Sequence, residues 1–236
     1  IERDFLIKAE KNNIPVSVIS SGMKARIEEK YLEKKANNIK LVTAGHYLPI
    51  VIESIKRARK SGLTIPIVYN SSGYEKVEAI EALDGIVDIF LPDFKYISSE
   101  MAARYSNAPD YPEVAKRALA QMVKQTGDAK FDERDMMKRG VIVRHLILPG
   151  HIKESKEAIR YLYETYGDQI YISIMNQYTP MPGIEKRFKN LGRTITQKEY
   201  DEVVDYAIDL GVENGFVQEG ETAKESFIPA FDGEGL

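Results

Sequence analysis

The sequence predicts an α/β fold: parallel strands curved into a partial, TIM-like (β/α)6 barrel, forming a single domain over residues 1–236. Three observations predict it. Short β-branched runs alternate with charged segments of helical period from end to end. Successive runs lie a dozen or more residues apart, the distance a parallel crossover needs. No Gly-x-Gly-x-x-Gly fingerprint opens any helix, which favours a barrel over a dinucleotide-binding sheet. With 236 residues the chain falls short of eight full units, which usually take about 250.

The elements follow in order. A strand at 16–19 leads to a helix at 23–35, and a strand at 39–43 to a helix at 48–61. In that second helix Leu48, Val51, Ile52, Ile55 and Ala58 share one face. A strand at 65–69 precedes a helix at 75–83, and a strand at 86–91 precedes a long insertion at 98–139 that carries two helices. One of them spans 112–125, and the charged stretch 128–134 reads as a surface loop. Next come a strand at 141–148, a helix at 154–166, a strand at 171–175 and a helix at 196–210. A weak run at 215–218 is a peripheral or closing strand, leaving six core strands. Gly22, Gly62, Gly140, Gly167 and Gly211 punctuate element ends. The alternative is an open doubly wound sheet, whose strand order would reverse at a switch point.

Composition narrows the function. With 43% hydrophobic and 29% charged residues the chain can build a core under a solvated surface. A net charge of −3 and a pI near 5.8 give no footprint for nucleic acid. Apolar runs are short, and no signal-peptide layout is present, so the expectation is a cytoplasmic protein with no membrane partner. The chain has no cysteine, which excludes disulfides, thiol nucleophiles and thiolate-held metals within these residues.

In a βα barrel, ligands meet the C-terminal strand ends. Those ends carry Thr43-Ala44-Gly45-His46-Tyr47, Tyr69-Asn70-Ser71-Ser72-Gly73, Pro92-Asp93-Phe94-Lys95, Arg144-His145 through His151, and Asn176-Gln177-Tyr178. The concentration of Asn, Gln, Asp, Lys and His at one rim suits a polar ligand. Asp93 and Lys95, two apart on a strand, share a face. They face a ligand together or simply form an ion pair. His145 is either functional or a satisfied core imidazole, His151 either a rim group or a helix cap, and Asn70 to Gly73 either a ligand contact or a turn. His46, His145 and His151 lack the spacing of a ligand pair, so no metal site is assigned. No catalytic residue is assigned either.

Taken in order, the strand-end segments resemble a known family. They are Asn37-Asn38-Ile39-Lys40-Leu41-Val42-Thr43 with His46-Tyr47, Tyr69-Asn70-Ser71-Ser72-Gly73-Tyr74-Glu75, and Asp88-Ile89-Phe90-Leu91-Pro92-Asp93-Phe94-Lys95-Tyr96. Val143-Arg144-His145-Leu146 with Pro149-Gly150-His151, Tyr171-Ile172-Ser173-Ile174-Met175-Asn176-Gln177-Tyr178 and Phe227-Ile228-Pro229-Ala230-Phe231-Asp232 follow. They resemble the radical S-adenosylmethionine proteins known as pyruvate formate-lyase activating enzyme homologues, over residues 16–236. The resemblance implies a partial (β/α)6 barrel. It also implies S-adenosylmethionine reduced at a 4Fe–4S cluster to a 5′-deoxyadenosyl radical, which abstracts hydrogen from a protein glycine or a small substrate. A glycyl-radical enzyme would be one partner, and flavodoxin or ferredoxin the electron donor.

By the same resemblance Asp93 and Lys95 approach the amino-acid and ribose portions of the cofactor, and Asn70 and Ser71 lie beside its methionine carboxylate. Thr43 and His46 stand where relatives carry a Gly-Gly-Glu-type motif for the amino group. This chain departs from that motif, which leaves the amino-group contact open. Arg144 and His145 occupy the strand that contacts adenosine or substrate. The family's Cys-x-x-x-Cys-x-x-Cys loop should follow the strand at 16–19, yet Gly22 runs directly into Met23-Lys24-Ala25-Arg26. Without thiolates such a cluster has no ligands. Two readings follow: a cluster-free barrel that keeps an S-adenosylmethionine or nucleoside pocket, or an active enzyme whose loop is not represented in these residues. A third class, a lyase using Lys95 as a Schiff-base nucleophile, is opposed by Asp93, whose charge favours the protonated amine.

Overall fold

Among the described residues, six parallel strands succeed one another across the sheet in chain order. The computed structural model describes residues 37–42 and 44–217. The strand expected at 16–19, the helix at 23–35, the Gly22–Met23 junction, Thr43 and the segment 227–232 lie outside them. The strands are β1 (Ile39–Val42), β2 (Ile67–Ser71), β3 (Ile89–Pro92), β4 (Lys130–Phe131), β5 (Met137–Leu146), β6 (Tyr171–Met175) and β7 (Gly215–Val217). Their order is β1-β2-β3-β5-β6-β7, with β4 paired only to β5 and antiparallel to it. Among the described residues nothing in this order reverses at a switch point, and the sheet winds as a partial TIM-like barrel. Of the weak run at 215–218, Gly215–Val217 forms a strand that pairs parallel to β6 at the end of the path, and residue 218 lies outside the described residues.

Helices α1 (Leu48–Lys60), α2 (Val77–Glu81), α3 (Ser99–Ser106), α4 (Tyr111–Thr126), α5 (Ile152–Tyr166) and α6 (Gln197–Leu210) pack around the strands. The apolar face read from the sequence of α1 is the buried one, through Leu48, Val51, Ile55 and Ala58, while Ile52 is only partly buried. In α4, Ala115, Ala118, Leu119 and Met122 turn inward at helical spacing, as do Ala158, Ile159 and Leu162 in α5. Thr196 starts α6 with a capping box, its side chain accepting from Glu199 N while Glu199 returns to Thr196 N. Such a cap is worth about 1 kcal/mol. The described residues share one hydrophobic core between strands and helices.

Three expectations shift. Strand β2 ends two residues later than the apolar run suggests, so Asn70 and Ser71 belong to the strand itself. Gly140 is no element end but lies inside β5, at φ 139°, where the strand leaves its hairpin partner and joins β3. A Cβ there would meet Ala129 Cα at 3.1 Å. The charged stretch 128–134 is not a free loop: it supplies β4 and the turn into β5, tied by Asp132 to Arg134 N and Met136 N at 3.0 Å each. Charge alone did not distinguish a loop from a short exposed hairpin. Among the described residues no helix is long and apolar enough to cross a membrane.

Candidate functional site

The polar rim lies where β2, β3 and β5 end. Strand β5 alternates: Val141, Val143 and His145 are buried toward the helices, whereas Ile142, Arg144 and Leu146 face the barrel interior and are only half-buried. β3 continues past Pro92 into a parallel bridge between Asp93 and Arg144, and Phe94 N donates to Arg144 O at 2.8 Å. The pleat therefore sets the two charged side chains against each other. Arg144 Nη2 lies 2.6 Å from Asp93 Oδ1 as an ion pair off the hydrogen-bond line, and donates to Asn70 Oδ1 at 2.6 Å. Lys95 Nζ donates to Asp93 Oδ2, also at 2.6 Å. Arg144 Nε is buried with no acceptor.

A cleft of about 790 Å³ opens beside this network, lined by Asn70, Ser71, Glu75, Asp93, Arg144 and His46 among others. That volume lies within the range of small-molecule sites. Asp93, Asn70, Ser71, Arg144 and His46 are thus brought together at one cleft. Lys95 reaches it through Asp93. Thr43 falls outside the described residues. Asp93 and Lys95 do form the ion pair that their spacing allowed, and they form it at the cleft.

His145 is not there. Arg144 and His145 are adjacent on a strand, and a two-residue period cannot turn both toward the mouth. The imidazole is buried in the helix layer. Phe94 O can only accept, so Nδ1–H donates to it at 2.7 Å and Nε2 accepts from Ser155 Oγ at 2.9 Å. Burial holds its pKa below the usual imidazole value, against the opposing Phe94 carbonyl and Asp93. It is a satisfied core histidine. His151 occupies the N-cap position of α5, but its ring engages Tyr105 Oη at 2.8 Å and Asn190 Nδ2 at 2.7 Å instead of capping the helix. Among the described residues no group of His, Cys, Asp and Glu could hold a metal ion.

The sequence reading missed two supporting groups. Tyr111, from α4, is buried behind the rim and ties three segments together: its hydroxyl is 2.9 Å from both Ser72 O and Asp93 O and accepts from Lys95 N at 3.0 Å. It stands one residue before the helix expected at 112–125, and nothing in the sequence marked its hydroxyl. Glu75 was read as a helix start and as the end of one resembling segment, with no role in the site. It faces the cleft, accepting from Ser71 Oγ at 3.1 Å. Burial pushes its carboxyl above the usual range, opposed by hydrogen bonds from Ser71 and the local backbone, with Asp93 adding a smaller upward push. Tyr69 is buried nearby, its hydroxyl raised by burial and then by the Glu75 charge. Gly73, at φ 76°, lets the chain turn so closely under β3 that a Cβ would fall 2.2 Å from Asp93 O.

Comparison with known proteins supports the fold. No protein-family profile matches the chain. An uncharacterised protein of Methanocaldococcus jannaschii is 28% identical over 178 residues, which is 75% of this chain and 48% of that protein. The chain thus spans about half the length of this curated relative. Among solved structures, a domain of pyruvate-formate lyase-activating enzyme from Bacteroides vulgatus superposes with a TM-score of 0.53 at 13% identity, covering 77% of this chain and 98% of that domain. At such identity the likeness is one of fold alone: an α/β partial barrel of parallel strands.

Proposed function

We propose that this barrel binds S-adenosylmethionine at the Asp93–Arg144–Asn70 rim, as a radical S-adenosylmethionine protein of the glycyl-radical-activating type. The observation that carries the reading is the charged network at the parallel strand ends, opening on a cleft of about 790 Å³. A zwitterionic nucleoside needs a carboxylate for its cation and a donor for its carboxylate, held where water is scarce. Glu75 and Arg144, which both line the cleft, are groups of those kinds. In such proteins, bound S-adenosylmethionine supplies a 5′-deoxyadenosyl radical for hydrogen abstraction. The role of this chain's residues is to bind the ligand, orient it and limit water at the rim.

The residues do not fit the cluster. No cysteine is present, and no other donor set for a metal exists among the described residues. That absence favours a second reading, a cluster-free barrel that keeps the nucleoside pocket. Calorimetric titration of the whole chain with S-adenosylmethionine tests what the two share. Arg144→Gln should weaken binding about ten- to a hundredfold, as expected for loss of one charge-assisted contact. A wild-type chain that binds no S-adenosylmethionine refutes both. Iron and sulfide assays after anaerobic reconstitution then separate them, since the cluster-free reading requires background values. A Cys-x-x-x-Cys-x-x-Cys encoded between Gly22 and Met23 in the gene would restore the enzyme reading.

A further inference from the structure

We propose that Glu75 receives the α-ammonium group of the bound nucleoside, an assignment that rests on the S-adenosylmethionine reading above. Two carboxylates line the cleft, Asp93 and Glu75. They are not equivalent. Asp93 stands against two cations of the protein itself, Arg144 Nη2 and Lys95 Nζ, each at 2.6 Å, which offset its charge even though its Oδ1 is buried without a hydrogen bond. A ligand cation arriving there would compete with two fixed positive charges. Glu75 has no cationic side chain within ion-pair distance among the described residues, and Ser71 Oγ is the side chain that donates to it. Its charge is the uncompensated one in the cleft.

The opposite end of the dipole is also defined. Arg144 spends Nη2 on both Asp93 and Asn70 and keeps Nε without an acceptor. The cleft is therefore lined by a carboxylate without a cationic side-chain partner at Glu75 and by the guanidinium of Arg144, the complement of an amino acid's ammonium and carboxylate. The segment Ala44–Tyr47, which lines the cleft through Gly45 and His46, offers no carboxylate that could do the same. The ammonium is favoured over the sulfonium for a chemical reason. A partly desolvated carboxylate regains its lost hydration from N–H donors, and a sulfonium has none.

The test uses the whole chain, calorimetry and three ligands: S-adenosylmethionine, its thioether analogue S-adenosylhomocysteine, and the desamino form of that thioether. Glu75→Gln should weaken S-adenosylmethionine and S-adenosylhomocysteine by the same factor, about ten- to a hundredfold. The desamino ligand should bind the wild-type chain more weakly than S-adenosylhomocysteine by that factor, and bind Glu75→Gln no worse than it binds wild type. The wild-type arm needs no substitution, so it remains decisive if Glu75→Gln fails to fold. Equal affinity of wild type for the thioether and its desamino form overturns the assignment while leaving the binding reading intact. So does a loss in Glu75→Gln confined to S-adenosylmethionine, which would place the sulfonium at Glu75. Failure of wild type to bind either S-adenosylmethionine or the thioether refutes the binding reading itself, and this assignment with it.

Discussion

Asp93 has a structural use besides any ligand, and replacing it by Asn separates the two. The side chain is 18% exposed and its partner Arg144 21% exposed, so their contact is shielded more than a surface ion pair but not fully desolvated. An exposed ion pair contributes about 0.2–1 kcal/mol, and breaking a fully buried one costs about 3–5 kcal/mol. This half-shielded contact falls between them, at about 1–2 kcal/mol. Lys95 is 42% exposed and can swing into water, so its half of the network adds little. For a chain of this size each kcal/mol lowers Tm by about 2–4 °C, which predicts a fall of about 2–8 °C in Asp93→Asn. Urea unfolding should show the lower midpoint with an unchanged slope. A double-mutant cycle with Arg144→Gln should return a coupling of about 1 kcal/mol or more. A variant with the wild-type midpoint and no coupling, yet weaker S-adenosylmethionine binding, would show that Asp93 is a ligand contact alone, and the ion-pair reasoning would be wrong.

Gly73→Ala should destabilise by more than about 2 kcal/mol, since it adds a strained φ to a direct clash with Asp93 O. Gly62→Ala, with φ 101° but open space around it, should cost about 1 kcal/mol, and equal urea midpoints for the two would refute the contact argument. Glu199 is held well below its usual carboxylate value, first by Arg193 and then by the backbone N–H groups of Thr196 and Gly150. Its folded pKa is depressed, so its contribution is present above the ordinary value of about 4.5 and is lost as pH falls below it. Glu199→Gln should flatten the acid limb of Tm against pH between about 4.5 and 2.5, and an unchanged limb would count against it. His145 titrates in the same sense for a different reason: the fold holds it neutral, the unfolded chain does not. Stability should decline as pH drops below about 6.5, the free imidazole value, and His145→Gln should reduce that decline in hydrogen-exchange or urea measurements, leaving the share of His151, which burial and then Arg104 shift the same way.

The parallel architecture was legible because it depends on spacing. Runs such as 171–175, flanked by helical segments with one apolar face, leave a chain few ways to bury its side chains other than βα units in sequence. The boundaries were less legible. Ile86 and Val87 are as apolar as Ile89 and Phe90, but they are buried in the turn after α2 rather than in β3, because core contact does not require strand pairing. The β4 hairpin escaped notice because Lys130 and Phe131 are exposed, and an exposed two-residue strand has no hydrophobic pattern to reveal it.

The site was legible to the extent that it follows the pleat. Asp93 and Lys95 were paired by a two-residue period, and that pairing is made. The same rule, applied to Arg144 and His145, would have kept one and dismissed the other, since neighbours on a strand face opposite ways. Glu75 follows no period. It lies beyond the strand, after a Gly73 turn whose tightness is set by the carbonyl of Asp93 two elements away in the fold. Nor can a single sequence say which of two carboxylates is already neutralised. Arg144 is 51 residues from Asp93 along the chain and reaches it only because β5, after the 98–139 insertion, returns to lie beside β3. That return occupies Asp93 and leaves Glu75 as the carboxylate with charge to offer a ligand.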